Sequence, residues 1–507
     1  MNRLKSLAVL FAVTLSLVAL PGCKQTDVLV IEKTADAQHA RIGVMTGSTS
    51  EAIATQQFPQ AHIQSFDNVA DAFGALKSGQ LDAIITAYST SLLLVRRNPD
   101  LRLLDEKLSI EDTAIAVHKG NTELFTAVDK IISDLKAEGA FQSMSRRWFK
   151  TGPGPYEQID IPLPATGEPL RVGVSATREP FSFVDENGRV SGHDGDLARL
   201  IAQRLKRPVE FHDMKFLALI PALQSGKIDM IVTGMTATDQ RRKFVDFTQP
   251  YYANSQVMMV RNWAAGVGPA TAEPGFWDGL KESIESNILA EKRYLLLWEG
   301  LKVTFIISVL STLFGTALGG IVCFMRMARS PLLQVPARIF ISVLRGIPVV
   351  VLLMLIFYVV FASVNISPVL VAVVAFGLNF AAYAAEIFRT GIEGIETGQT
   401  EAGLAMGFSR KKTFRLVILP QMVRRILPVY KGEVISIVKM TSIVGYIAVL
   451  DLTKASDIIR ARTFDAFFPL VLVAVLYFLM SYMLIALMDW AERRTDPRRK
   501  TRKVSAA

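Results

Sequence analysis

Cysteine is nearly absent. Two residues in 507, Cys23 and Cys323, cannot build a disulfide framework, and they sit in unlike settings, one after a short apolar N-terminal run and one inside a long apolar run. The five histidines are scattered without ligand spacing, so no metal site is expected. No Gly-x-x-x-x-Gly-Lys-Ser/Thr loop occurs, which excludes a P-loop ATPase within this sequence. No nucleophile–base arrangement and no nucleic-acid motif stand out either. No catalytic residue and no cofactor are expected, and the chain does not read as an enzyme.

What is abundant is apolar surface and positive charge, neither spread evenly. Half of the residues are hydrophobic, and the long apolar runs fall in the second half. The net charge is +10, concentrated between Arg410-Lys411-Lys412 and Arg424-Arg425 and in the tail from Arg493-Arg494 to Lys503. Beside membrane spans, such clusters mark the cytoplasmic side.

Residues 1–23 read as an export signal: Arg3 and Lys5, then an apolar core over Leu7–Leu20. Leu20-Pro21-Gly22-Cys23 resembles a lipoprotein cleavage box with Cys23 as the lipidated residue; the alternative is an uncleaved signal anchor. Either way the following residues lie outside the cytoplasm. Two α/β segments follow, 24–150 and 170–262, separated by a Pro/Gly-rich linker over 151–169. In the first, Arg41–Met45 is a short apolar strand running into Thr46-Gly47-Ser48-Thr49, a strand-to-helix turn able to seat an anion. In the second, Leu170–Val174 plays the equivalent part, and Thr236-Ala237-Thr238-Asp239-Gln240-Arg241 precedes another strand.

Residues 263–293 read as a tether and an interfacial helix. Five apolar segments, roughly 298–325, 335–362, 367–388, 429–450 and 466–488, are each long enough for ~30 Å of hydrocarbon. They define a membrane domain over 294–490, followed by a basic tail over 491–507. Arg326 and Arg329 follow the first segment and the basic clusters follow the third and fifth, which places the C-terminus in the cytoplasm and the α/β segments outside. Glu433 and Lys439 lie in the fourth segment, where charge is costly; they line a translocation path or form a structural ion pair.

The polar stretch Gly398–Gly407, with Glu401-Ala402, Gly407 and Ile418-Leu419-Pro420-Gln421, resembles the cytoplasmic signature loop of permeases of binding-protein-dependent ABC importers, polar amino-acid branch. Ala382–Arg389 matches the same family upstream. The resemblance implies that Glu401, Ala402, Gly403 and Gly407 dock on a separate ABC ATPase, two copies per assembly. It also implies dimerisation of the membrane domain with a second copy, or with a second permease, in a bacterial inner membrane. The α/β segments resemble the lobes of extracytoplasmic amino-acid-binding proteins, so the expected fold is a two-lobed periplasmic-binding-protein-like (type II) α/β domain followed by five transmembrane helices. The resemblance assigns Arg241 as carboxylate clamp, Gly234 and Thr236 as polar contacts, Phe181 and Phe216 as apolar walls, and Thr46, Gly47 and Thr49 as contacts from the other lobe. Where the family carries an acid for the ligand's ammonium stands Ala87, and where it carries an aromatic stands Arg178. The site has thus lost negative and gained positive charge. Glu179, Asp82 and Asp185 are the candidate substitutes.

The lobes come in reversed order, lobe 2 with the closing helix over 24–150 and lobe 1 over 170–262. Val28–Lys33 and Val257–Asn262 both resemble the strand that crosses between lobes, as trimming of a tandem duplication would leave. One circularly permuted domain is expected, with only one of these two copies at the hinge. The competing arrangements are two half-domains, or lobes supplied by a second chain. The expected function is the receptor and permease subunit of an importer for amino acids or related solutes; the alternative is a ligand-gated channel or solute sensor.

Overall fold

The computed structural model describes residues 29–149, 156–157, 159–262, 276–364, 366–465 and 467–495. The export signal, Cys23, most of the linker's start, residues 263–275 and the tail beyond 495 lie outside the described residues.

Two five-stranded sheets form the α/β half. The first has the order β2-β1-β3-β13-β4, where β1 is Arg41–Met45, β2 His62–Phe66, β3 Ala83–Ala87, β4 Leu101–Thr113 and β13 Tyr252–Arg261. Every residue of β3 is buried, as a central strand covered on both faces requires. The second sheet has the order β10-β6-β11-β5-β12, with β5 at Ala116–His118, β6 Leu170–Val174, β10 Val209–Asp213, β11 Met230–Ile231 and β12 Val245–Phe247. A three-stranded sheet, β7 (Thr177–Arg178), β8 (Ser182–Val184) and β9 (Val190–Ser191), flanks it.

The sheets exchange strands. β5 follows β4 directly, yet pairs antiparallel with β11 and β12 in the other sheet. β13 follows β12, yet pairs antiparallel with β3 and β4 in the first sheet. The two crossings run side by side, Tyr251 N–H donating to Thr113 O and Thr248 N–H to Ile115 O; along the other edge of the first, Ala114 N–H donates to Met235 O and Ala237 N–H to Asp112 O. The division at the 151–169 linker therefore does not coincide with the division between sheets. The end of the first segment also belongs with the second sheet: Trp148 Nε1 donates to Asp196 Oδ2 at 2.8 Å, and Arg147 pairs with Asp196 at 3.1 Å. Of the two crossing-like stretches, Val257–Arg261 lies in β13, while residues 29–33 form no strand and Ile31 packs on the outside of the first sheet.

The C-terminal half is helical. Tyr294–Met327, Pro368–Glu393 and Phe467–Trp490 are long and apolar enough to cross a membrane. Pro331–Gly346 with Val349–Val360 is bent by 110°, and Arg410–Ile447 with Leu452–Thr463 by 57°, so the count reaches five only if each bent pair is one span. Small residues let the first two long helices pack closely, with Gly315 against Gly377 and Gly319 against Ala381 and Ala384. Cys323 is buried in the first of them.

Candidate ligand site between the two sheets

A cavity of about 30 Å³, room for roughly one water, lies where the chain crosses between sheets. Thr49, Arg178, Phe216, Gly234, Thr236 and Arg241 all line it. The cleft is drawn nearly shut, and the closure has a visible bond. Arg241 stands on the short helix Asp239–Arg242, capped by Thr238, and donates through Nη1 to Thr236 O and through Nη2 to Gly47 O, both at 2.8 Å. The second bond joins the two lobes. Its guanidinium lies 5.3 Å over the Phe216 ring. Burial pushes the Arg241 pKa down to about 10; the nearby Glu111 carboxylate opposes this, and the Arg178 charge adds to it.

Arg178, on β7, is only 8% exposed and donates through Nη1 to Thr233 O at 3.0 Å and Gly234 O at 3.3 Å. Gly234 has φ +60, and a Cβ there would come within 3.2 Å of that Nη1, so glycine lets the guanidinium lie on the backbone. Burial lowers the Arg178 pKa, against the opposing charges of Asp194, Tyr251 and Glu111. Tyr251 links these groups: its hydroxyl accepts from Gly234 N–H and donates to Asp194 Oδ1 at 3.0 Å.

Not every expected residue reaches the cavity. Thr46 turns its hydroxyl to Phe66 O at 3.1 Å, and the Gly47 N–H goes to Glu51 Oε2 at 2.8 Å, so these two groups are engaged within their own lobe. Phe181 is fully buried behind the site among Phe149, His193 and Tyr252, and Arg178 lies 5.8 Å over its ring; it supports the guanidinium rather than walling the cavity. The candidate substitutes for the missing acid are committed elsewhere. Asp82 pairs with Arg41 at 2.6 Å and Arg261 at 3.5 Å, Glu179 accepts from Arg97 at 3.2 Å and Tyr156 at 2.9 Å, and Asp185 accepts from the Asn187 and Arg189 amides. Ala87 does line the cavity.

Glu111, Asn254 and Gln256 were not anticipated. Glu111 Oε2 accepts from Thr49 Oγ1 at 2.6 Å, Thr236 Oγ1 at 2.9 Å and Gln256 Nε2 at 3.2 Å. Glu111 and Asn254 are cross-strand partners in the β4–β13 pairing, which the sequence does not announce. The one available signal was polar residues at the start of β13, whose later residues are an apolar, buried run; β4 is polar and at least partly exposed along most of its length.

In the membrane half, Glu401 and Ala402 are exposed on the helix Thr397–Ala405, and Gly403 is buried against Thr413. Gly407 follows that helix with φ +79. Leu404 and Met406 leave apolar surface exposed beside Glu401, Met406 by 76%. Glu433 is half-buried and Lys439 exposed on Leu419–Met440, and no ion pair joins them. Lys431, on the same helix, instead holds Asp489 and Glu492 of the last one. Among the described residues no group of His, Cys, Asp and Glu is arranged to hold a metal.

Two α/β sheets that exchange strands beside a cavity lined by two arginines, continuous with a bundle of apolar helices, define a solute-binding type of body joined to a membrane component. The family model for bacterial extracellular solute-binding proteins, family 3, matches residues 170–435. The probable amino-acid ABC transporter permease YckA of Bacillus subtilis is 34% identical over 197 residues, 39% of this chain and 87% of its own length. The glutamine transport system permease GlnP of Escherichia coli K12 is 39% identical over 202 residues, 39% of this chain and 92% of its own. A crystal structure of an amino acid ABC transporter with histidines matches 44% of this chain and 99% of its own at 31% identity and a TM-score of 0.38. The chain belongs to the family 3 solute-binding proteins and, over its membrane half, to the permeases of amino-acid ABC transporters.

Arg241→Ala removes a cross-lobe bond and the guanidinium that the site is built around. Truncating a buried charged partner costs ~3–5 kcal/mol, so ligand affinity is expected to fall by two orders of magnitude or more, read by equilibrium binding to the purified chain.

Proposed function

We propose that this chain is receptor and permease of one amino-acid importer: the lobes capture a small solute at Arg241 and pass it to membrane helices driven by a separate ATPase. The observation that carries the reading is the bond from Arg241 Nη2 to Gly47 O, made across the two lobes at the cavity. A carboxylate inserted there would take bidentate, charge-assisted bonds from the guanidinium. Because the sheets exchange β5 and β13, closure is a hinge motion about two parallel crossings. The same exchange favours a single, circularly permuted domain over two half-domains.

The membrane half is read as five spans, each bent pair being one span. Exposed Glu401, Ala402, Leu404 and Met406 then form a cytoplasmic knob for the ATPase, with one ATPase per permease in a homodimer. Glu433 and Lys439, unpaired with each other, face the route between permease copies. A ligand-gated channel needs no such knob, which disfavours that reading. The test is reconstitution of the full chain with a cognate ATPase in liposomes: ligand should raise ATP hydrolysis several-fold and labelled amino acid should accumulate. Solute-gated ion current without ATP would support the channel instead.

A further inference from the structure

The cavity wall is electrostatically lopsided. Two guanidiniums, Arg178 and Arg241, line it, and no carboxylate does. The nearest acid, Glu111, sits at the edge with Oε2 already accepting from Thr49, Thr236 and Gln256. Asp194, which balances Arg178 from behind, is fully buried and bonded to Tyr251 and His193. Ala87 leaves a neutral wall where an acid for the ligand's ammonium was expected. The groups left to receive an amine are Glu111 and its cross-strand partner Asn254, whose Oδ1 is buried without a hydrogen-bond partner. Such an atom is costly unless a donor arrives.

The two guanidiniums are anchored close together. Arg178 donates to Gly234 O and Arg241 to Thr236 O, carbonyls two residues apart and so within about 7 Å by backbone reach. Two cations lining one cavity, an unpaired acceptor beside a single acid, and one apolar ring (Phe216) describe a ligand with two acid groups and one amine on a short chain.

We propose that the site takes a dicarboxylic α-amino acid, glutamate or aspartate, with Arg178 as the specificity-determining residue. The α-carboxylate goes to Arg241 and to the Thr236 and Thr49 hydroxyls, which turn from Glu111 as the ammonium takes their place on that carboxylate. The side-chain carboxylate goes to Arg178 on the cavity side, opposite Asp194, where a neutral amide would give up the charge-assisted bonds and a cation would face a like charge. The ammonium goes between Glu111 and Asn254 Oδ1. This rests on the reading of the cleft as a ligand site, but not on transport.

The test is therefore binding to the full-length purified chain in detergent or nanodiscs without any ATPase, using L-glutamate, L-aspartate, L-glutamine and L-arginine. The dicarboxylates are expected to bind about 100-fold tighter than glutamine, since a site built for one polar group rejects the analogue that lacks it. L-Arginine is expected not to compete. R178Q should weaken glutamate far more than glutamine and so narrow that ratio to within about tenfold. Because Arg178 is buried and R178Q risks misfolding, A87D serves as the second variant: any gain at the ammonium is common to all α-amino acids, so the added negative charge at the wall should shift preference from glutamate toward glutamine and arginine. Tighter binding of glutamine or arginine than of glutamate by the unaltered chain overturns the proposal, as does equal loss of all ligands in R178Q together with no change in preference in A87D. Tight glutamate binding without ATP-driven uptake would leave this inference standing and remove the import reading.

Discussion

A Gly403→Val chain is expected to bind its ligand as the unaltered chain does and to lose ATP-driven uptake. Gly403 is buried in the helix Thr397–Ala405 on the side facing Arg410–Thr413. A Cβ built there would lie 2.4 Å from Thr413 Cγ2 and 2.9 Å from its Oγ1. Thr413 cannot yield, being 1% exposed and part of the turn into the next apolar helix. Overpacking of this kind costs ~1–3 kcal/mol, and here the least costly relief is to lift the short helix away from its support. That shifts Glu401, Ala402, Leu404 and Met406 together, the exposed face read as the ATPase dock. A displacement of about 1 Å at a mechanical contact can cost ~100-fold in rate. The measurement is ligand-stimulated ATP hydrolysis by the reconstituted assembly, with ligand binding to the same preparation as control. Gly403→Ala should fall between. If Gly403→Val hydrolyses ATP on ligand addition as well as the unaltered chain does, this helix is not the dock.

The membrane half was legible because its signals are local. Apolar runs over 298–325, 367–388 and 466–488 correspond to the helices Tyr294–Met327, Pro368–Glu393 and Phe467–Thr495. The bends were not legible as breaks: Ile347-Pro348 interrupts the apolar run over 335–362, and Ala448–Asp451 closes the run over 429–450 before the more polar helix Leu452–Thr463. In the α/β half, β1 and β6 read correctly as short apolar strands, since their apolar runs are continuous. The crossing of β13 was carried by the resemblance of Val257–Asn262; what could not be read was that β5 leaves the first segment's sheet for the second. Strand partnership is a long-range property, and the Pro/Gly-rich linker invited a division that the hydrogen bonding ignores. Arg178, Arg241, Gly234 and Thr236 line one cavity, and one short stretch and one strand carry them. Glu111 and Asn254 did not announce themselves, because only the β4–β13 register brings them face to face. Asp82, Glu179 and Asp185 have the right chemistry but are held by local partners, which the sequence alone does not reveal.

Arg460→Asp is expected to separate ligand capture from transport at the other end of the machine. The helix Leu452–Thr463, between the last two apolar segments, touches both lobes. Arg460 Nη1 donates to Asp71 Oδ1 on the helix Val69–Lys77 of the first sheet's lobe, and Phe464 packs edge-on against Phe73 there at 5.5 Å. Toward the second lobe, Lys454 Nζ holds Asp213 Oδ1 at 3.0 Å and Arg462 Nε lies 3.9 Å from Glu179. Lys227 of that lobe also donates to the carbonyls of Phe361 and Val364, at the end of the bent pair in the membrane half. One helix of the permease thus grips both halves of the closed clamshell, so opening the cleft must break its hold on one of them. Reversing Arg460 sets a third acid where Asp71 and Asp457 already lie. Asp71 is partly exposed, and a discounted loss of ~1–2 kcal/mol, or about 5–30-fold, is expected. By linkage, whatever closure gains from this helix, ligand affinity gains too. Arg460→Asp should therefore weaken ligand binding modestly while largely removing ligand stimulation of ATP hydrolysis. The charge swap Asp71→Arg with Arg460→Asp separates the specific pair from general damage, because it restores one attraction without restoring the native residues. Recovery of stimulation in the swap is the expected result. Stimulation that survives Arg460→Asp alone would mean that the lobes communicate with the membrane through Lys227 and the bend at Phe361 instead.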